Sequence, residues 1–268
     1  MSFEFHARLA VTGAAGALGT VLRAELARVG VRTLSLDLRE PSRVHDNETF
    51  VRCDLADAEA TRRALQAADA VVHLGGISTT APFDSILSAN ICGSFHVFEA
   101  ARRHGMRRVV YASSNHVTGY YPSSERVRPD MPHRPDSFYG LSKAFGEDLA
   151  QLYWDKYGLE SVGLRIGSCF ERPRDRRMLK TWLSHRDFLR LVERALLAPK
   201  VGHTVVYGVS NNPRVYWDAD PAGALGFTPL DSSASFAGSL PGDEPEPERQ
   251  GGGFIEVDET ALGPAEQA

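Results

Sequence analysis

The chain has 268 residues, 43% of them hydrophobic, which suits one large α/β domain or a domain with a small appendage. Thirty basic and thirty-four acidic residues give a formal charge of −4, so a nucleic-acid partner is not expected. No apolar run approaches the roughly 18 residues of a membrane span, and the N-terminus lacks a secretory pattern. Three widely spaced cysteines, Cys53, Cys92 and Cys169, favour free thiols in the cytoplasm and no metal site.

The first elements predict a strand, a glycine turn and a helix. A β-prone run at residues 8–12 enters Gly13-Ala14-Ala15-Gly16-Ala17-Leu18-Gly19, and apolar residues then recur at helical spacing. In a dinucleotide fingerprint Gly13 permits the turn, Gly16 admits the pyrophosphate and Gly19 allows close packing on the sheet. The N–H groups at Ala17 and Leu18 would then face phosphates. The alternative is an ordinary glycine-rich loop.

A second strand, predicted at residues 31–37, ends in Asp37. A carboxylate there accepts hydrogen bonds from the adenosine ribose and repels a 2′-phosphate, which favours NAD over NADP. Arg39 argues the other way, because an arginine could pair with that phosphate.

A third strand, predicted at residues 50–53, leads to Asp54 and Leu55. Asp54 is placed to contact the adenine, but it could also cap the next helix, a role that suits Asp57 better.

A continuous apolar run at residues 70–74 predicts a central strand buried on both faces. Leu74 and Gly75 lie at its carboxyl end, where open α/β sheets bind ligands. Small residues there let a cofactor lie close, and Ser78 could reach the substrate. His73 is expected to be a packed core histidine.

A long helix is predicted at residues 83–104, with polar Asn90 among apolar neighbours. Asn90 could face solvent, or it could hold the lysine-bearing helix or a water in a proton relay. A fifth strand, at residues 109–112, delivers Ser113-Ser114-Asn115-His116 at its carboxyl end.

Tyr139 and Lys143 lie four apart on a helix predicted at residues 138–157, so they share one face. An ammonium nearby should lower the pKa of the phenol, and Ser114 could steady an alcohol oxygen. The three together could remove a proton from an alcohol while nicotinamide takes a hydride. The preceding loop, residues 120–135, is expected on the surface.

The rest of the chain predicts a small C-terminal part. A sixth strand, residues 160–166, leads to Ser168, and one helix (188–197) and one strand (204–207) follow. An acidic, proline-rich stretch at residues 243–248 is expected to be a loose connection, and Gly251-Gly252-Gly253-Phe254 to fold back as a lid. We expect a Rossmann domain at residues 1–170 and a substrate-binding segment at residues 171–268 packed on it.

These residues together resemble the extended short-chain dehydrogenase/reductases. That resemblance rests on Gly13, Gly16, Gly19, Asp37, Asp54, Asn90, Ser114, Tyr139 and Lys143. A narrower one is to the uronate dehydrogenases. It rests on the blocks His73-Leu74-Gly75-Gly76-Ile77-Ser78, Ser113-Ser114-Asn115-His116, Gly119-Tyr120-Tyr121-Pro122, Arg165-Ile166-Gly167-Ser168-Cys169 and Arg177-Met178-Leu179-Lys180-Thr181-Trp182.

The resemblance implies a doubly wound parallel sheet and NAD-dependent oxidation of D-glucuronate or D-galacturonate at the anomeric carbon, giving an aldarolactone. Tyr139 would be the base, Lys143 its partner on the nicotinamide ribose and Ser114 the holder of the reacting hydroxyl. Substrate oxygens would contact Ser78, Asn115, His116 and Ser168. Arg177 would clamp the carboxylate, a choice among four nearby arginines that composition alone does not make.

A homo-oligomer is also implied. Two alternatives stay open. One is another sugar dehydrogenase or a small epimerase of the same fold. The other is a non-catalytic dinucleotide sensor, against which the complete Ser114, Tyr139 and Lys143 set argues.

Overall fold

A computed structural model describes residues 7–218, 223, 225–240 and 245–262. Residues 243–244 of the acidic stretch lie outside the described residues.

Parallel strands form the centre of the molecule. In chain order the strands are β1 (Leu9–Thr12), β2 (Thr33–Asp37), β3 (Glu48–Arg52), β4 (Ala70–His73), β5 (Arg108–Ser114), β6 (Glu160–Ile166), β7 (Ser168–Cys169), β8 (Trp182–Leu183) and β9 (His203–Gly208). Seven of them form one sheet in the order β3-β2-β1-β4-β5-β6-β9, and β7 pairs with β8. Every pairing in the main sheet is parallel. The order reverses between β1 and β4, which creates the crevice where such sheets bind ligands.

Helices cover both faces of the sheet, as the sequence predicted. They are α1 (Ala17–Arg28), α2 (Ala58–Leu65), α3 (Phe83–Ile86), α4 (Gly93–Arg103), α5 (Phe138–Tyr157), α6 (Met178–Thr181) and α7 (His185–Leu197). One apolar core joins α1 and α7 to one face, and a second joins α2, α4 and α5 to the other. Since strands buried on both faces need apolar residues throughout, the continuous run of β4 is explained.

The helix predicted at residues 83–104 is continuous but not uniform. Between α3 and α4 the chain makes a π-helical segment, Leu87–Cys92. Wide turns of this type are frequent at functional sites. The segment contains Asn90, which is buried.

The C-terminal part completes the main sheet. Its strand β9 pairs with β6 along six residues, and α7 packs into the core beside α1. The division of roles between residues 1–170 and 171–268 stays a prediction.

The loop at residues 120–135 is anchored more deeply than the sequence suggested. Tyr121 and Val127 are buried and pack with Tyr207 and Trp217, because apolar side chains interrupt its charged and proline-rich sequence. Within the described residues no helix is long and apolar enough to cross a membrane.

Candidate functional site

One cavity of about 680 Å³ lies at the carboxyl ends of the central strands. Its wall contains every site residue predicted from the sequence except Asn90. These residues are Gly13, Gly16, Ala17, Leu18, Gly19, Asp37, Asp54, Leu55, Leu74, Gly75, Ser78, Ser114, Asn115, His116, Tyr139, Lys143, Ser168 and Arg177. Strand order thus brings residues that are far apart in sequence to one crevice.

The glycine loop between β1 and α1 packs too closely against neighbouring backbone to admit a side chain at Gly13 or Gly19. Gly13 has a φ of +66°, and a Cβ there would come within 2.7 Å of the backbone of Leu74 and Gly75. A Cβ at Gly19 would overlap the backbone of Gly13 and Ala14. Gly19 therefore lets α1 pack against the loop itself, rather than against the sheet as the fingerprint suggested. The first turn of α1 points its unpaired N–H groups toward this cavity wall.

The two predicted adenosine-side carboxylates also hold loops. Asp37 at the end of β2 accepts hydrogen bonds from the backbone N–H of Ala15 (2.9 Å) and Arg39 (3.1 Å). Asp54 accepts one from the N–H of Ala56, and Asp57 caps α2, as predicted. Asp37 thus fixes the glycine loop and still faces the cavity.

The two glycines after β4 make room for protein atoms as well as for a ligand. A Cβ at Gly75 would come within 2.6 Å of the Leu55 side chain, and one at Gly76 within 2.8 Å of Asn90 Oδ1. Their small size therefore serves packing in addition to the close approach of a cofactor.

Asn90 lies behind the cavity wall and ties the π-helical segment to its neighbours. Its Oδ1 accepts from Ile77 N, and its Nδ2 donates to Ile77 O and to Ser142 Oγ (3.0 Å). Ser142 in turn donates to Tyr139 O. Asn90 thus holds the helix that carries the lysine, one of the two roles considered. Direct contact of Asn90 with a cofactor stays a prediction.

Ser114, Tyr139 and Lys143 meet in the cavity as buried residues, each no more than 7% exposed. Tyr139 lies in the first turn of α5, which Ser137 caps by accepting from Gly140 N. Lys143 Nζ is 5.7 Å from the centroid of the Tyr139 ring and 5.1 Å from that of Tyr111. The positive end of the helix dipole and the ammonium both favour an anion at Tyr139.

The pKa of Tyr139 contradicts the simplest expectation from the sequence. Burial raises it to about 12, and the charge of Asp136 adds to this, while a hydrogen bond with Ser114 opposes it. Burial also lowers the pKa of Lys143 to about 8. Both shifts disfavour the charged forms, since the two groups have lost most of their water. The lysine therefore does not by itself bring the phenol pKa below its ordinary value.

A buried ion pair fixes the next turn of the same helix. Glu147, four residues after Lys143, binds Arg165 of β6 through two hydrogen bonds and accepts another from Ser113. Although burial opposes it, bonds from His133 and Arg165 lower the pKa of Glu147 to about 2. This network locks α5 to β5 and β6, so Tyr139 and Lys143 stand on a rigid support.

Two of the polar side chains predicted to meet the substrate, Ser114 and Asn115, keep hydrogen-bonding atoms free. Asn115 is buried, and its Nδ2 has no hydrogen-bond partner among the described residues. Ser114 Oγ accepts from the N–H of His116, which leaves its own hydrogen to donate. Ser168 pairs with Thr181 Oγ1 at 2.8 Å, while Ser78 is exposed at the cavity mouth. An unpaired buried donor such as Asn115 Nδ2 is expected to meet a ligand atom.

Among the four neighbouring arginines at residues 172–177, Arg177 is the one that lines the cavity. Its Nε and Nη2 donate to the carbonyl of Gln250 at 3.0 and 2.5 Å. Burial lowers the pKa of Arg177, and no carboxylate in the described part of the chain lies within ion-pair distance of it. Arg172 and Arg174 are exposed, and Arg176 is absent from the cavity wall. A half-buried, unpaired cation is suited to an anionic ligand.

Residues 250–256, which we call the strap, cross the cavity mouth. Gln250 is fully buried and is held by Trp217 Nε1 and by the carbonyls of Pro122 and Glu125. Phe254 stacks on the His116 ring with centroids 3.8 Å apart and planes 22° from parallel. The glycine-rich segment thus folds back over the site, as the sequence suggested.

The chain matches known proteins over most of its length. The model of the NAD dependent epimerase/dehydratase family matches residues 9–194. Uronate dehydrogenase from Pseudomonas syringae pv. tomato is 51% identical over 92% of this chain and 93% of its own. That from Agrobacterium fabrum is 46% identical over 93% and 97%. The chain belongs to the uronate dehydrogenases.

Solved structures of the family agree with the fold of this member. A tyrosine-to-alanine variant of the uronate dehydrogenase from Agrobacterium tumefaciens, complexed with NAD, superposes with a TM-score of 0.92 at 44% identity. The superposition covers 97% of this chain and 100% of the other.

Several residues of the cavity region escaped sequence reasoning in this uronate dehydrogenase. Asp136 makes a hydrogen bond with His116 behind the wall, and Phe170 and Ile77 line the wall itself. The only signal for Asp136 was its place beside the N-cap Ser137, which reads as local capping chemistry. Apolar wall residues carry no sequence signal that separates them from core residues.

Proposed function

We propose that this protein oxidises the anomeric carbon of a hexuronic acid, D-glucuronate or D-galacturonate, with NAD as the hydride acceptor, and releases the aldarolactone. The observation that carries this proposal is the unpaired cation of Arg177 in the same cavity as Ser114, Tyr139 and Lys143. Ser114, Tyr139 and Lys143 would remove the hydroxyl proton as the hydride leaves. Arg177 would select a sugar that carries a carboxylate.

The cavity wall fits NAD on observations of this chain. A Cβ at Gly13 or Gly19 would overlap neighbouring backbone, so only glycine allows the tight loop that brings the first turn of α1 to the cavity wall. The N–H groups of that turn would hold the phosphates. Asp37 would accept hydrogen bonds from the adenosine ribose hydroxyls. Lys143 would donate to the hydroxyls of the nicotinamide ribose. When bound, NAD supplies a pyridinium ring that accepts the hydride and adds positive charge beside Tyr139.

Tyr139 would take the proton of the anomeric hydroxyl. The phenolate it needs is supported by the Ser114 hydroxyl, by the first turn of α5 and by the Lys143 ammonium. General-base catalysis of this kind contributes roughly 10²–10⁴-fold to the rate. Loss of the C1 hydride and the hydroxyl proton converts the hemiacetal into the lactone carbonyl, so atoms and charges balance.

Arg177 would set the substrate's orientation. A guanidinium has five N–H donors, and two of them go to the Gln250 carbonyl, which leaves three. The free end can therefore accept a carboxylate in a bidentate pair, whose geometry a lysine does not reproduce. Asn115 Nδ2 and Ser168 would bind sugar hydroxyls across the cavity.

A panel of sugars assayed by nicotinamide absorbance tests the proposal. We expect glucuronate and galacturonate, but not glucose or UDP-glucose, to reduce NAD efficiently, and NADP to serve poorly. Tyr139→Phe should abolish turnover and leave NAD binding nearly intact, because the ring remains and only the hydroxyl is lost. If neither uronate is oxidised, the substrate assignment is wrong.

We also propose that the chain forms a homo-oligomer. Support comes from large apolar side chains exposed on neighbouring helical segments, such as Phe83, Phe95 and Leu141. Light scattering in solution measures the mass, and a monomer would contradict this. Localisation in the cytoplasm stays a prediction of the cysteine pattern.

A further inference from the structure

The strongest unassigned feature of the site is a buried carboxylate behind His116. Asp136 Oδ2 lies 2.7 Å from His116 Nδ1, and its Oδ1 accepts from Ser137 Oγ at 2.8 Å. The Asp136 side chain is 0% exposed. Within the described ranges no arginine or lysine pairs with it. A buried carboxylate is costly unless it is hydrogen-bonded, and here one of its hydrogen-bond partners is an imidazole that lines the cavity.

Three separate chain segments leave space for this carboxylate. A Cβ at Gly119 or at Gly251 would overlap the Asp136 carboxylate. A Cβ at Gly140 would overlap the carbonyl of His116 and come within 3.2 Å of Asp136 Oδ1. Loop, helix and strap therefore close around one arrangement of Asp136 and His116, and a side chain in any of the three places would displace it.

Contacts at the backbone, at Nδ1 and on the ring face hold His116, which lines the cavity. Its backbone N–H donates to Ser114 Oγ, and Phe254 stacks on its ring. Among the described residues none bonds its second ring nitrogen, Nε2. A neutral imidazole that donates from Nδ1 has an acceptor lone pair at Nε2.

We propose that Asp136 is a positioning residue for uronate oxidation: it holds His116 in the Nδ1–H tautomer, so that Nε2 accepts a hydrogen bond from a substrate hydroxyl beside Tyr139. The inference rests on the proposed function for its substrate. The ring centroids of His116 and Tyr139 are 5.8 Å apart, so a hydroxyl held by His116 adjoins the reacting centre. The wrong tautomer would present a donor to that hydroxyl and misalign it.

Two substitutions separate the acceptor from the charge. Asp136→Leu removes the acceptor and the charge, whereas Asp136→Asn removes only the charge. We expect Asp136→Leu to lower uronate kcat/KM roughly 10- to 100-fold, as loss of a hydrogen bond to a charged group does. Asp136→Asn should retain most of the activity. Because the charge of Asp136 also raises the pKa of Tyr139, kcat/KM is compared over the whole pH profile of each variant. The melting temperature of each variant reports folding.

A double-mutant cycle with His116→Ala tests whether Asp136 acts through the imidazole. When Asp136→Leu is added to His116→Ala, kcat/KM should stay within about twofold of the value for His116→Ala alone, because the imidazole that Asp136 positions is already gone. Asp187→Asn, which alters another fully buried carboxylate outside the cavity wall, serves as the stability control and should lower the melting temperature without changing kcat/KM. The proposal is overturned if Asp136→Leu is as active as the unchanged enzyme, if Asp136→Asn loses as much as Asp136→Leu, or if the effect persists without His116.

A spectroscopic readout is independent of turnover. Two-bond ¹H–¹⁵N correlations of the histidine rings, with His116 assigned by its absence in His116→Gln, report the tautomer directly. We expect Nδ1 protonated and Nε2 bare in the unchanged enzyme, and loss of that preference in Asp136→Leu. A bare Nδ1 would refute the inference even if uronates are oxidised. Absence of uronate oxidation, with the expected tautomer present, would instead refute the proposed function.

Discussion

Replacement of Arg177 by methionine is the sharpest test of why this site would choose a sugar acid. The guanidinium keeps three of its five donors free after bonding Gln250, and burial already lowers its pKa. Loss of one partner of a buried charge pair costs about 2–5 kcal/mol. Since about 1.4 kcal/mol is a factor of ten, uronate kcat/KM should fall roughly 30- to 4000-fold.

The assay measures the rate of NAD reduction by each variant with glucuronate and with glucose, which has a hydroxymethyl group in place of the carboxylate. Arg177→Met should reduce the uronate rate and leave the weak glucose rate nearly unchanged, because glucose makes no ion pair. Arg172→Met, which alters an exposed arginine five residues upstream, is the matched control and should change neither. A fall that is equal for both sugars would mean that Arg177 supports the fold of the strap rather than recognition, and an unchanged uronate rate would refute the reasoning.

Three further predictions concern protons, cofactor and strap. The active state of the Tyr139–Lys143 pair holds one of its two protons. The first proton leaves near pH 8, because burial lowers the pKa of Lys143 to about 8. Log kcat/KM should therefore rise with unit slope up to about pH 8 and then level off. Lys143→Met should move that rise toward the Tyr139 pKa of about 12. Asp37→Ala removes the carboxylate that repels a 2′-phosphate and should narrow the kcat/KM preference for NAD over NADP roughly tenfold or more. Phe254→Ala removes the stack on His116, worth about 0.5–1.5 kcal/mol, and should lower uronate kcat/KM roughly 2- to 10-fold without changing the dissociation constant of NAD.

Each of these has a distinct contradictory outcome. A flat pH profile from pH 6 to 9 would show that a different group limits the proton step. An unchanged cofactor ratio in Asp37→Ala would place specificity elsewhere, for instance at Arg39. A Phe254→Ala variant that loses NAD binding would assign the phenyl ring to the cofactor rather than to His116.

The fold was predictable because its signals are local and periodic. The bounds of α5 and β6 coincide with those predicted, since a capping serine and Gly158 delimit the helix and alternating apolar residues mark the strand. The π-helical segment was not predictable, because its widened turn depends on the bonds that Asn90 makes to Ile77 and Ser142 across the fold. The loop at residues 120–135 was misjudged for a similar reason: its composition is polar, but two of its side chains fill a distant apolar cluster.

The sequence predicted most of the residues that share the cavity wall, but it did not predict the pKa shifts of Tyr139 and Lys143. The sequence argument gave Tyr139 a lowered pKa from its lysine neighbour, whereas desolvation of both groups dominates and raises it. Burial is a property of the whole packed site, so no spacing rule reports it. The hydrogen bond between Asp136 and His116 joins residues twenty apart through a loop whose path the sequence does not reveal.

The sequence by itself determined the order of most strands and helices, the glycine turn and the Tyr139–Lys143 helix face, because these depend on short-range spacing and side-chain chemistry. Only the tertiary structure decided which of four arginines enters the cavity, how Phe254 of the strap stacks on His116, and how burial shifts the pKa values of Tyr139 and Lys143. Those features depend on long-range contacts and on the exclusion of water, and both arise only when distant segments pack together.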